Sequence, residues 1–284
     1  MILVTGGTGT AGGEIVSQLA STGTPFRAMV RNPQKALVLK MTGVQIVGGD
    51  LDNAESLRAA LDGIDQVLLL APPVPNQAEL ESNMVAAAKA AGVRHIVKFS
   101  AMTANPNSRS RFPKLHGQVE QLIRESGLQW TFLRPTFFMQ NLLGLAGMVK
   151  GGTIYQPAGD AKAGFVDTAD IAAVAVEALT EPGHEGKAYE ITGPELLSYH
   201  DIARTISEVI QKPVGYQDIP PAAARDAMLG MGMSAWQVDG INELMDQMRG
   251  GEYARLTSAV SDVGKKDPNR LADFVRQHAA VFKG

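Results

Sequence analysis

The sequence predicts an α/β fold built on a doubly wound parallel sheet. Three observations carry this: an apolar N-terminal run breaks into a glycine-rich turn, short apolar runs alternate with helix-patterned segments through the first half, and the alternation loosens after Pro135.

Met1-Ile2-Leu3-Val4 reads as the first strand and runs directly into Thr5-Gly6-Gly7-Thr8-Gly9-Thr10-Ala11-Gly12-Gly13. Gly7, Gly9 and Gly12 form Gly-x-Gly-x-x-Gly, with Gly6 overlapping. Ile15, Val16 and Leu19 share one face of the helix that follows. A strand, a glycine turn and a helix in that order seat a dinucleotide diphosphate: the glycines permit the tight turn and the close backbone approach, and the helix start offers unpaired N–H groups. Gly6, Thr8, Gly9, Thr10, Ala11 and Gly12 are the candidate phosphate-cradling residues. The bland alternative is a structural turn.

Further strands are expected at Phe26–Val30, Val44–Val47, Gln66–Leu70, His95–Phe99 and Thr131–Leu133, with helices opening near Gly12, Gln34, Ala54, Glu79 and Leu115. Right-handed crossovers then give a Rossmann-type sheet with its ligand at the carboxyl ends of the strands. Beyond Pro135 a helix is expected over Phe138–Val149, then a short Thr153–Tyr155 segment. The chain returns to the sheet with a helix from Thr168 to Leu179 and a strand at Ala188–Ile191. Ser198 caps a helix over Tyr199–Ile210, and a Val214–Gln217 strand precedes several helices. The expected division is a dinucleotide-binding domain over 1–135, with 166–193 returning to the sheet. A smaller C-terminal α/β substrate-covering subdomain comprises 136–165 and 194–284.

The 284 residues are 45% hydrophobic and 19% charged, with a net charge of -3 and no long run of either sign. That composition argues against nucleic acid as a direct partner. The absence of cysteine excludes disulfides and thiolate metal sites. The five histidines, at 95, 116, 184, 200 and 278, show no metal-ligand spacing, so no metal is expected. A core strand at the start and no apolar stretch of membrane-spanning length lead to the expectation of a cytoplasmic protein without a membrane partner.

Sheets of this kind that hold NAD place an acidic residue about 20 residues past the glycines, where it grips the ribose. Here the second strand leads instead into Arg31-Asn32-Pro33-Gln34-Lys35. Arg31 and Lys35 offer positive charge for a 2′-phosphate, which favours NADPH over NADH. The alternative is that they are solvated loop charges. Asp50, followed by Leu51, either accepts from the adenine amino group or serves as a helix N-terminal carboxylate. Ala71-Pro72-Pro73 suits a backbone passing close to the cofactor, or a plain loop.

Taken together, Val4-Thr5-Gly6-Gly7-Thr8-Gly9, Val30-Arg31-Asn32-Pro33, Gly49-Asp50-Leu51-Asp52, Ala90-Ala91-Gly92-Val93 and Trp130-Thr131-Phe132-Leu133-Arg134-Pro135 with Phe138-Met139-Gln140-Asn141 resemble the short-chain dehydrogenase/reductase superfamily in its atypical NmrA-like branch. That branch holds NAD(P)H quinone reductases and triphenylmethane dye reductases, and it also holds NADP(H)-binding redox sensors. The resemblance implies a Tyr-x-x-x-Lys pair after the fifth strand, but Phe112 and His116 stand at the matching positions. A phenyl ring has no proton to give, so alcohol dehydrogenation by a tyrosine is disfavoured.

His116, Lys114 and Ser100, with Thr103 beside them, are the candidate proton sources or hydrogen-bond donors. Pro135 and Phe137 are expected along the cofactor, and Phe112, Phe138, Met139, Tyr155 and Trp236 along a flat substrate. Methionines and aromatics at such spacing also read as ordinary core. Asp167 and Asp170 are assigned to a helix start. The expected activity is NADPH-dependent hydride transfer to a flat electron-poor acceptor such as a quinone or dye. The alternative is a redox sensor with little or no catalysis. The expected partner is a small aromatic or quinone-like molecule, with a homodimer admissible.

Overall fold

The computed structural model describes residues 1–34, 36 and 44–283. Lys35, and residues 37–43 into which the helix expected from Gln34 would run, lie outside the described residues. The chain forms two compact units: Met1–Arg134, Thr168–Glu190 and Ala259–Lys266 make the first, and Pro135–Asp167, Ile191–Ser258 and Asp267–Gly284 the second.

Elements are numbered in chain order. The first unit follows the alternating pattern: β1 (Ile2–Val4), α1 (Thr10–Ser21), β2 (Phe26–Val30), β3 (Val44–Gly48), α2 (Ala54–Ala60), β4 (Gln66–Leu69), α3 (Gln77–Ala90), β5 (His95–Phe99), α4 (Arg111–Glu125) and β6 (Gln129–Pro135), later joined by α6 (Thr168–Thr180), β8 (Lys187–Ile191) and α10 (Ala259–Asp262). Among the described residues, seven strands lie in the order β3-β2-β1-β4-β5-β6-β8. β1 pairs in parallel with both β2 and β4. The winding therefore reverses beside β1, which makes the carboxyl ends of β1 and β4 the place where such a sheet opens to a ligand.

Apolar strand residues explain the burial. Leu57, Met84, Val85, Ala88, Val119 and Ile123 of α2, α3 and α4 cluster with Leu3, Val67, Ile96 and Phe132 of the sheet. Apart from that cluster, α1 packs on α6. α4 starts one turn earlier than its apolar spacing suggests, and its first turn accepts Pro113 because the N–H that proline lacks has no helical partner there.

The second unit holds a 3-10 helix (Met139–Leu145), α5 (Ala146–Lys150), β7 (Thr153–Gln156), α7 (Tyr199–Ile210), β9 (Gly215–Asp218), α8 (Pro221–Gly230), α9 (Ala235–Arg249), α11 (Leu271–Gln277) and α12 (Ala279–Lys283). β7 and β9 pair in parallel as a sheet of their own. α7 has the expected limits because Ser198 and Asp201 form a reciprocal capping box.

One element differs from expectation. The helix over 138–149 is a 3-10 turn followed by a short α-helix: the Met139 N–H is drawn to the Val166 carbonyl at 2.8 Å, and Gly144 and Gly147 weaken the continuous α form. The segment Ala259–Lys266 belongs to the first unit, where α10 packs on α6 and Lys266 forms an ion pair with the buried Asp170.

Candidate active site

The glycine loop is shaped for a close backbone approach. Gly6 has φ +68°, a region that disfavours side chains, and a Cβ there would stand 2.2 Å from Leu70 Cδ2. A Cβ on Gly12 would stand 2.2 Å from the Gly6 carbonyl oxygen, so α1 can begin this close to the turn only with glycine. Thr5 anchors the loop by donating from Oγ1 to the Leu70 carbonyl at 2.8 Å and accepting from the Leu70 N–H at 2.9 Å. The N-terminus of α1 has Gly9 as its cap, no side-chain capping bond and no acidic residue in its first turn. Partial positive charge and N–H donors are thus left facing outward from Thr10, Ala11 and Gly12, with Thr8 and Gly9 just ahead. This set fits a diphosphate, whose oxygens would replace the missing cap.

Arg31 is exposed directly after β2, where its guanidinium fits the bidentate geometry of a phosphate. The Asp50 carboxylate is also exposed and accepts the Asp52 N–H at 3.2 Å, while the Asp50 N–H donates to Ser56 Oγ at 3.0 Å. Asn53 caps α2. Leu51 is buried in the apolar cluster and its carbonyl accepts from Asn83 at 3.1 Å. After β4, Ala71 is half-buried, and Pro72 and Pro73 are exposed.

β5 and α4 meet in two rungs. Alternate strand residues face one way and helix residues four apart share a side, so Lys98 and Ser100 are matched to His116 and Glu120. In the first rung, Lys98 Nζ lies 3.3 Å from His116 Nδ1 and donates to Glu81 Oε1 at 2.7 Å and to the Phe99 carbonyl at 2.6 Å. Lys98 and Glu81 are both 0% exposed. Burial pushes the Glu81 carboxyl up, while Lys98 opposes the shift. Burial, followed by the charge of Lys98, holds His116 well below the usual histidine range. His116 is therefore a neutral ring at neutral pH.

In the second rung, Ser100 Oγ donates to Glu120 Oε1 at 2.6 Å. Arg134 donates from Nε to the same oxygen at 2.9 Å and pairs with Oε2 through Nη2. The Ser100 proton is thus committed to Glu120. Lys114 is exposed on α4, and Phe112 is half-buried one turn ahead of His116. Gly117, directly after His116, admits the loop backbone against α4: a Cβ there would stand 2.2 Å from Asn105 C and Pro106 N.

In the second unit, Pro135 is buried, and Phe137 packs on Phe165 and Tyr253 with ring centroids 5.7 and 4.7 Å away. Phe138 is half-buried in a bridge to Val166, while Met139 is fully buried. Tyr155 is 41% exposed on β7, and Trp236 is half-buried on α9. Asp167 accepts from Gln140 at 2.7 Å and from Asn269 at 3.0 Å.

Sequence reasoning missed Lys98, Glu81 and Glu120 as site residues. The usable signal was a lysine inside the otherwise apolar His95–Phe99 strand. Among the described residues no group of three or more His, Asp or Glu is placed to hold a metal, and no helix is long and apolar enough to cross a membrane.

A parallel sheet opening at its winding reversal, with a glycine cradle on the first crossover, is the arrangement of a Rossmann-type dinucleotide-binding protein. More narrowly, the model of the NmrA-like family matches residues 1–264, and the chain belongs to that family. It is 42% identical over 283 residues, 99% of either chain, to the NAD(P)H azoreductase of Xenophilus azovorans. The NADPH complex of an Escherichia coli NADPH-dependent quinone oxidoreductase superposes with a TM-score of 0.91 at 29% identity, covering 98% of this chain and 100% of that one. The Citrobacter sp. triphenylmethane reductase complexed with NADP(H) gives 0.89 at 27% identity, with coverages of 98% and 99%.

Proposed function

We propose that the chain is an NADPH-dependent reductase that delivers hydride to a flat, electron-poor acceptor, a quinone or a dye, without a Tyr-x-x-x-Lys pair. It is an NAD(P)H-dependent oxidoreductase of the NmrA-like family, and its likeness to an NAD(P)H azoreductase and to quinone and triphenylmethane reductases supports that class of acceptor. The observation that carries the reading is the glycine cradle on an uncapped, acid-free helix start.

When bound, NADPH supplies the hydride. The α1 N–H groups would hold the diphosphate, Arg31 the 2′-phosphate, and the Ala71–Pro73 backbone would contact the nucleotide. Phe138, Tyr155 and Trp236 are the candidate apolar contacts for a flat acceptor. Such acceptors spread the charge that arrives with the hydride and take their proton from water, so no tyrosine acid is required. Ser100, with its proton held by Glu120, orders the carboxyl end of β5.

The test is to mix the protein and NADPH with quinones, triphenylmethane dyes, azo dyes and simple carbonyls, following loss of the reduced-nicotinamide absorbance. Oxidation with the aromatic acceptors and none with simple carbonyls is expected. Tight NADPH binding without oxidation across the panel would overturn the reading in favour of a nucleotide sensor.

A further inference from the structure

Lys98 and Glu81 form a fully buried ion pair that neither the glycine cradle nor the acceptor surface uses. Burying two charges carries a large desolvation cost, which close geometry and further hydrogen bonds must offset. An ammonium group has three N–H donors and no lone pair. Around Lys98 Nζ stand Glu81 Oε1 at 2.7 Å, the Phe99 carbonyl at 2.6 Å and His116 Nδ1 at 3.3 Å. The two oxygens can only accept. The remaining N–H therefore meets the lone pair of Nδ1, and the ring proton of a neutral His116 must sit on Nε2.

We propose that Lys98, balanced by Glu81, is a positioning residue that fixes His116 as a neutral Nε2–H ring, which donates a hydrogen bond to a polar atom of the acceptor and gives up no proton. The contact with the acceptor rests on the reductase reading, whereas the tautomer rests on the Lys98 geometry alone. A second ring proton would set N–H against N–H across 3.3 Å and place one cation beside another. The charged groups around the ring are few. Lys98 faces it from β5, Glu81 on α3 reaches Lys98, Lys114 on α4 is exposed, and Glu120 one turn further is bound by Ser100 and Arg134. The two carboxylates act in the opposite sense, but Glu81 is held on Lys98 and Glu120 on Ser100 and Arg134, so Lys98 is the charge in contact with the ring. A neutral imidazole that donates to a developing anion keeps its strength across the pH range where a free histidine changes charge.

The test begins on the unaltered protein without cofactor. Long-range 1H–15N NMR of the 15N-histidine-labelled chain, with His116 assigned by loss of its signals in His116→Gln, should report an Nε2–H ring that stays neutral as the pH falls through the ordinary histidine value of 6.5. An Nδ1–H ring, or titration at the ordinary histidine midpoint, overturns the proposal. In Lys98→Met the midpoint of the ring should rise, while burial still holds it below the ordinary histidine value. A ring unchanged in a folded Lys98→Met protein would remove Lys98 from the role.

With NADPH and a reducible quinone, kcat of the unaltered enzyme should stay flat across the histidine range, and Lys98→Met should introduce an inflection. His116→Ala should lower kcat about tenfold with KM for NADPH unchanged, and His116→Gln, which keeps an N–H donor, should recover much of the loss. Undiminished kcat in His116→Ala overturns the acceptor contact. Absence of any NADPH oxidation overturns the reductase reading and the contact together, and the NMR result then decides the tautomer by itself.

Discussion

Ser100 donates its hydroxyl proton to Glu120 at 2.6 Å, and this bond joins the carboxyl end of β5 to α4. Glu120 also receives Arg134 from β6, so three elements meet on one buried carboxylate. Removing that carboxylate leaves a half-buried guanidinium and a buried hydroxyl without their acceptor. Glu120→Ala should cost about 3 kcal/mol of stability, read as a lower urea midpoint, and Glu120→Gln should cost less because it keeps an acceptor oxygen. Equal midpoints for all three proteins would contradict this account of the junction.

Gly117 allows the backbone at Asn105 and Pro106 to lie against α4 beside His116. A methyl group there meets backbone atoms, which cannot swing away as a side-chain tip can. Gly117→Ala should therefore destabilise the protein by about 1–3 kcal/mol and lower kcat more than it raises KM for NADPH. Thermal unfolding and steady-state kinetics check the two parts. An unchanged melting temperature would show that the loop adjusts freely.

Arg31 supplies an exposed guanidinium immediately after β2. Arg31→Asp exchanges attraction of a 2′-phosphate for repulsion and offers a carboxylate to a free ribose hydroxyl. The NADPH-to-NADH affinity ratio should fall by about tenfold or more. Fluorescence titration with each nucleotide measures it, and an unaltered ratio would refute the role of Arg31.

His95, His116 and His184 all sit below the ordinary histidine value of 6.5, in each case chiefly through burial. The unfolded chain takes up protons on these rings at a pH where the folded chain does not. Their contribution to stability is therefore full above pH 6.5 and is lost as the pH falls from that value toward the lower folded values. Glu81 acts in the opposite sense, since its raised folded pKa makes stability decline as the pH rises from 4.5. Comparing the native protein with His116→Gln cancels Glu81 to first order. Below pH 6.5 the native protein should lose up to about 1.4 kcal/mol per pH unit more than the variant. Parallel stability curves would contradict the depressed pKa of His116.

Much of the first unit was legible in the sequence because its strands are short, nearly continuous apolar runs set between helical periods. Ile2–Val4, Phe26–Val30 and His95–Phe99 have the limits that their residues suggest. The Ser198–Asp201 box made the start of α7 equally plain. The glycine turn was legible because its steric demand is local: Gly6 and Gly12 answer to neighbours in the same loop and in the adjoining strand end.

The two rungs were not legible, because their partners lie on separate elements. Lys98 finds Glu81 and His116 at sequence separations of 17 and 18 residues, on two different helices. In a strand sequence a lone lysine reads as solvent-facing, and only the packing of α3 and α4 turns it inward. Likewise, nothing near Lys266 announced Asp170, 96 residues away. His116 stood out by sequence as a titrating group, while its neutral state comes from burial first and from the lysine behind it second.

The cradle is tested most directly by calorimetric titration of NADPH into the unaltered protein and into Gly12→Ala. The unaltered chain should bind NADPH at a single site, more tightly than NADH. Gly12→Ala, whose methyl would press on the Gly6 carbonyl 2.2 Å away, should remain folded and lose most of that affinity. Absence of binding by the unaltered protein, or equal affinity in a folded Gly12→Ala chain, would contradict the account.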